Sequence, residues 1–514
     1  MTPPGGIASA APRRGLIALS VMLATIMQAL DTTIANVALP HMQGSLSATQ
    51  DEISWVLTSY IVAAAIMTPP TGYLSARFGR KNLFLTAVDG FTIASMLCGV
   101  AETLPQMVLF RLLQGMFGAA LVPLSQVVLL DSTPQEKQGS AMALWGVGVM
   151  VGPILGPTLG GYLTDHYNWR WVFYINVPFG LMAFFGILAY VPDTVRDFGR
   201  RFDWLGFAML SLAIGALQIM LDRGELKDWF GSPEIVVETA VGALALYLFI
   251  AHSATSEHPF LEPKMFKDRN FTTGLFFIFI VGIILLATLA LLPPLMQDLM
   301  GYPVLTTGLV LAPRGIGTMA AMFVVGRLIG RIDSRLLVGS GMVIIAYSLW
   351  EMMRFTADVP PSLIVWTGAI QGIGLGFVFI PLSTVTFATL PVHFRTDAAS
   401  LFSLIRNIGS SIGISVVTSL LTRSIQINHA ELSAHVTAIN PYLPMHLLGG
   451  TSVGRQLATA GLDAEITRQA AMIGYLNDFK LMMIVAIAAL PMLFLLKRPQ
   501  PTAAPVPQTA AVPD

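Results

Sequence analysis

Gly72-Tyr-Leu-Ser-Ala-Arg77-Phe-Gly79-Arg80-Lys81-Asn-Leu83 is echoed 254 residues later by Gly326-Arg-Leu-Ile-Gly-Arg331-Ile-Asp-Ser-Arg335-Leu-Leu337, with Gly, Leu, Arg and Leu coinciding. A second pair agrees on the spacing. Gln114-Gly115 followed by Pro123-Leu124-Ser125 returns as Gln371-Gly372 followed by Pro381-Leu382-Ser383, an offset of 257 to 258. The chain therefore reads as two related halves with a segment of its own between them.

What the halves are made of follows from the apolar runs around these motifs. A bilayer core about 30 Å thick needs roughly 20 mainly apolar residues per helix. Fourteen such stretches occur, near 16–38, 53–74, 83–101, 105–130, 140–163, 171–191, 204–221, 235–252, 272–296, 305–329, 336–353, 362–390, 399–422 and 479–496. The expected fold is an all-α integral membrane protein. It has a short segment at 1–15, a six-helix bundle at 16–191, two inserted helices at 192–271 and a second six-helix bundle at 272–498. A loop at 423–478 is expected to hold helical pieces over the outer face, with Asn440-Pro441 and Gly449-Gly450 as breakers. The Pro/Ala-rich 499–514 is expected to be a disordered tail. The first span is too long and too polar at its far end for a cleaved signal, so it is read as retained.

Composition agrees: 54% of the 514 residues are hydrophobic and only 11% charged. Net charge is zero, which leaves no basic field for nucleic acid. One cysteine, Cys98, makes neither an internal disulfide nor a cysteine-rich metal site. No P-loop, HExxH, CxxC or GxSxG pattern occurs, so no cofactor, metal or catalytic residue is expected and the chain reads as a non-enzyme. An even number of spans puts both termini on one side. Eighteen Lys and Arg then flank that side against eight on the other, which the positive-inside rule makes cytoplasmic. The predicted location is a multi-pass inner membrane with both termini in the cytoplasm.

Few charges remain inside spans. Asp31 lies in Leu30-Asp31-Thr-Thr-Ile-Ala-Asn36-Val-Ala-Leu-Pro40 and Arg111 in span four. At 1.5 Å per residue both sit roughly 10 Å below the outer surface. Hydrocarbon disfavours a bare carboxylate and a nearby cation favours it, so a proton can make or break an Asp31–Arg111 pair. The competing reading is a polar contact that fixes packing. Asp89, in span three, reads as structural. In span five, Gly148, Gly152, Gly156 and Gly160 recur every fourth residue beside Pro153 and Pro157, predicting a smooth, kinked contact between halves. Arg77, Arg80 and Lys81, with Gly72 and Gly79, form an inner gate loop, and Asp131 is its candidate counter-ion. Asn36, Gln114, Arg314 and Arg406 are candidate lining residues of a substrate cavity. Trp169, Trp171, Phe173 and Tyr174 read as an interfacial aromatic belt.

These motifs together resemble the major facilitator superfamily over about 16–498, and within it the fourteen-span drug:proton antiporters of the EmrB/QacA type. The resemblance rests on LDTTIANVALP at 30–40, GYLSARFGRK at 72–81, RLLQGMFGAA at 111–120, the span-five run and WRWVFYINVPFG at 169–180. It implies alternating access driven by proton flow, with Asp31 as protonation site, Arg111 as its modulator, 72–81 as gate and span five as the exporter signature. Ala76 departs from the family pattern, where an acid usually completes the gate. Second-half acids, found in relatives that export dications, are not read here. Neutral or weakly acidic lipophilic compounds are therefore the expected substrates, together with protons. A periplasmic adaptor and outer-membrane channel are the partners such relatives use. Export of a single natural product or siderophore, a non-transporting sensor or scaffold, and a membrane enzyme are the alternatives.

Overall fold

A helix satisfies its own backbone polar groups, which is why apolar runs in hydrocarbon become helices. The computed structural model describes residues 14–134, 137–194, 196–436 and 452–497. The N-terminal and C-terminal tails and both pairs of breakers in the 423–478 loop lie outside those residues. Among the described residues, thirteen helical segments are long and apolar enough to cross a bilayer, and one shorter apolar helix completes the set. In chain order they are α1 (Arg14–Ser45), α2 (Trp55–Met67), α3 (Arg80–Val100), α4 (Leu104–Asp131), α5 (Gln138–His166), α6 (Trp171–Tyr190) and α7 (Trp204–Arg223). Then follow α8 (Pro233–Thr255), α9 (Arg269–Pro294), α10 (Val304–Leu328), α11 (Ser334–Met352), α12 (Pro361–Ala388), α13 (Arg395–Ala434) and α14 (Ser452–Ala489). The short member is α2. Pro69 and Pro70, which lack an N–H, end it, and a separate helix Thr71–Phe78 carries the chain on. Side-chain caps start several others: Asp203 accepts from the Gly206 amide at 2.9 Å, and Asp268 from that of Phe271 at 2.8 Å.

Packing repeats. In α1–α6, α1 lies on α5 and α6, α2 on α4, and α3 on α4 and α6. In α9–α14 the counterparts hold: α9 on α13 and α14, α10 on α12, and α11 on α12 and α14. The two sets meet along α5 and α10. At the end bearing Arg14 and Lys497, here the terminal face, α4 and the Thr71–Phe78 helix also press on α13.

Between the sets, α7 occupies the lateral gap between α2 and α13. Asp222 bonds Thr58 of α2. On α13, Ser411, Ser415 and Ser419 recur every fourth residue and meet Gln218 at 2.9 Å, the Leu221 carbonyl at 2.9 Å and Glu225 at 2.5 Å. Helix α8 packs on α7 and is mostly exposed.

One expectation changes. The 423–478 segment is not a set of pieces lying over the far face, because α13 and α14 run on through it. With 40 and 38 residues they are about 60 Å long, twice the depth of a bilayer core. Their ends stand side by side, with His429 3.0 Å from Asp463 and Asn477 bonding Ser424 at 3.4 Å, so they project as a hairpin.

Candidate functional site

Asp31 lies just past the middle of α1, and the structure brings Arg111 of α4 to it: Nη1 is 2.8 Å from Oδ2, with the side chains 1% and 0% exposed. Gln114 stands one turn on, at the i+3 spacing that shares a helix face. Its Nε2 donates to Asp31 Oδ1 at 2.7 Å while its Oε1 accepts from Arg111 Nη1 at 2.9 Å. Asn176 of α6 gives the third bond, Nδ2 to Oδ1 at 2.9 Å, and a further one to Ser95 at 2.9 Å. The guanidinium also donates from Nε to the Val56 carbonyl at 3.0 Å, and it lies 4.3 Å from the Tyr60 ring centroid and 5.7 Å from that of Phe173. Five helices thus hold one carboxylate, all its partners being donors. Binding a proton there removes the charge that Arg111 answers, so the pair is a chemical on/off contact inside the bundle.

Gln114, expected in a substrate cavity, is fully buried as a partner of Asp31, and Asn36 is exposed farther along α1. Asp89 is exposed on α3. The aromatic belt is partly corrected: Trp169 and Phe173 are buried, Phe173 against Arg111, and Trp171 is exposed.

The span-five glycines do not face the other set. A side-chain carbon at Gly152 would collide with the Ala29 carbonyl, and one at Gly156 with Thr33, both on α1. Gly148 faces Met22 and Gly160 faces Ile34 of the same helix. The ridge therefore seats the helix that carries Asp31, and Thr33 bonds the Gly152 carbonyl at 3.0 Å. The contact between sets uses another face of α5, where Gly139 meets Ile329, Gly146 meets Met322 and Ile154 meets Gly315. Pro153 lies inside α5, as does Pro157.

At the terminal face, Asp131 takes Arg80 from its own set and Arg395 of α13 at 2.8 Å. Arg77 donates to the Phe198 carbonyl at 2.9 Å, and Lys81 is half-buried beside it in sequence. Gly79 has φ +85°, a conformation glycine adopts without strain, which lets α3 start at a sharp angle. Gly72 lies against Asp397, so closely that a side-chain carbon would overlap the carboxylate. Arg200 grips Asp397 at 3.0 and 3.2 Å. With alanine at 76, the acids of this closure are Asp131 and Asp397.

In the second set, Arg314 is 5% exposed, donates to the Leu285 carbonyl at 3.2 Å, and has Nη1 without a partner among the described residues. Arg406 is half-buried and reaches only its neighbour Asn407, at 3.5 Å. The reading that this half lacks buried acids is corrected by Asp478. The sequence put it at the end of a loop, whereas on α14 it is 2% exposed with Oδ2 unpaired.

Sequence reasoning passed over Asn176, Asp397 and Asp478. Asn176 was legible as the polar residue inside WRWVFYINVPFG. The other two sit at span ends, where charge is ordinary.

Comparison with known proteins agrees with this architecture. The family model described as Major Facilitator Superfamily matches residues 21–414. The chain is 37% identical over 462 residues to the multidrug export protein EmrB of Escherichia coli K12, covering 89% of this chain and 90% of that one. It is 36% identical over 491 residues to the fatty acid resistance protein FarB of Neisseria gonorrhoeae, covering 94% and 96%. The crystal structure of the human organic anion transporter MFSD10 shares the fold, with TM-score 0.60 at 13% identity over 93% of this chain and 100% of that one. On the repeat, the paired helix packing and these matches, the chain is a multi-span membrane protein that belongs to the Major Facilitator Superfamily.

Proposed function

We propose that the chain is a proton-coupled exporter of lipophilic small molecules, working by alternating access in the inner membrane with the terminal face and both chain ends in the cytoplasm. The observation that carries this reading is the fully buried Asp31 carboxylate paired with Arg111. A charge so placed is costly unless it is used, and one proton switches it. Arg111 tunes the site, while Gln114 and Asn176 hold the carboxylate in place. The terminal-face contacts of Asp131 and Asp397 close the cytoplasmic mouth, and the α5 glycine ridge transmits movement of α1 to the seam with α10. The names of the relatives, multidrug export and fatty acid resistance, support a small-molecule cargo. Arg314 and Arg406 favour neutral or weakly acidic compounds over dications. The projecting α13–α14 hairpin is the place for a periplasmic adaptor that leads to an outer-membrane channel.

The test is reconstitution in vesicles with a pH-sensitive dye. Substrate should drive proton movement through the parent protein and none through Asp31→Asn. Equal proton movement through both would refute the assignment.

A further inference from the structure

The internal repeat lets the Asp31 site be compared with its own counterpart. Gln114 corresponds to Gln371, and the same offset of 257 pairs Asp31 with Thr288 and Arg111 with Gly368, while the offset of 254 in the neighbouring helix pairs Tyr60 with Arg314. The packing agrees with this register. A side-chain carbon at Gly115 would meet the Tyr60 carbonyl, and one at Gly372 would meet the Arg314 carbonyl. The bonds agree too. Gln114 Nε2 donates to Asp31, and Gln371 Nε2 donates to Thr288 at 3.3 Å. The second site thus keeps the glutamine, has threonine in place of the acid, and carries its arginine on the other partner helix. Gly368 makes room for it: a carbon added there would stand 3.7 Å from the Arg314 Cβ.

In the first half every charge is answered. In the second, the cation is present and its acid is not. Arg314 Nη1 and Gln371 Oε1 are both buried and unpartnered among the described residues, on side chains 5% and 0% exposed, whereas their counterparts on Arg111 and Gln114 bond each other. Among the described residues no carboxylate forms an ion pair with Arg314, nor does one with Arg406, whose backbone packs on Gly282, about one turn of α9 from Leu285. A buried guanidinium needs an anion, and its planar fork suits a carboxylate.

We propose that Arg314, with Gln371 and Thr288, forms an anion site in which the carboxylate of a transported compound takes the part that Asp31 plays in the first half. This rests on the exporter reading and adds the chemical class of the group recognised and the place where it binds. The two halves then divide the work: one holds an acid of the chain, the other an acid of the cargo.

The test is calorimetric binding to the purified full chain in lipid nanodiscs with 2-naphthoate and its neutral counterpart 2-naphthamide, with no proton gradient. Arg314→Met should weaken naphthoate by about tenfold to a hundredfold, the worth of a charged hydrogen bond, and leave naphthamide within about twofold. Thr288→Asp supplies the acid from within and should weaken naphthoate similarly, which keeps the test available if the arginine variant does not fold. Naphthoate binding indifferent to both changes, or absent from the parent, overturns the proposal. So does a chloride-dependent rise in melting temperature that is lost in Arg314→Met while naphthoate binding is unaffected, since the site then takes a free ion. Because binding is read without proton flow, its failure is distinct from failure of the Asp31 test.

Discussion

Separating Asp31 from Arg111 should cost unequally depending on which partner is removed. Arg111→Ala leaves the carboxylate with Gln114 at 2.7 Å and Asn176 at 2.9 Å, and a carboxyl group can shed its charge by taking a proton. The loss is one charge-assisted bond plus the packing of the guanidinium against Tyr60 and Phe173, about 2–3 kcal/mol. Asp31→Asn keeps an acceptor for Gln114 and Asn176 but strands a guanidinium that does not deprotonate in proteins, with only the Val56 carbonyl and Gln114 left to it. Breaking a buried pair from that side costs about 3–5 kcal/mol. In the double variant the stranded cation is gone, so the two losses should fall short of their sum by about 2–3 kcal/mol. Thermal unfolding in detergent at pH 7, followed by tryptophan fluorescence, should rank Arg111→Ala first, the double variant next and Asp31→Asn last. A double variant that melts below Asp31→Asn by the full single loss of Arg111→Ala would refute the pairing energetics.

Other outcomes follow from the same geometry. Gly152→Ala should destabilise by about 1–3 kcal/mol through overpacking against the Ala29 backbone, whereas Gly161→Ala, which meets nothing within 4 Å, should leave the melting temperature unchanged. Asp131→Asn weakens two partly exposed ion pairs, Arg80 and Arg395, and should loosen the terminal-face closure by about 0.5–2 kcal/mol. Alkylation of an Ala76→Cys probe in a Cys98→Ser background should then quicken roughly twofold to thirtyfold. Burial pushes the Glu225 carboxyl up, but bonds from Ser419, Trp229 and Thr422 prevail and hold it below its usual 4.5. A depressed value means the contribution to stability is full above the usual value and fades as pH falls through the lowered one. Glu225→Gln should therefore flatten the acid side of the melting profile and leave the neutral side nearly level.

The legible parts of this protein are those where one residue type contradicts its surroundings. Asp31 and Arg111 stand out because charge in an apolar run is expensive, and their matching depth follows from helix rise alone. The repeat is legible because glycine, proline and arginine occupy turn and gate positions that cannot drift. What the sequence hides is direction around the helix axis. Four glycines at fourfold spacing announce a close approach but do not say whether α1 or α10 makes it, since both lie beside α5. Span ends are equally opaque: α13 and α14 continue into water because their outer residues pair with each other, and hydropathy sees only that the apolar run has stopped. Asp478 falls at such an end and becomes intramembrane only when α14 is packed.

The ladder of serines on α13 that receives α7 has a further consequence. With α5 sealed against α10 on one flank and α7 wedged between α2 and α13 on the other, acyl chains have no slot through which to slip between the halves. Cargo released in this conformation must leave by the mouth opposite the chain ends, into water, and cannot slide sideways back into the leaflet it came from.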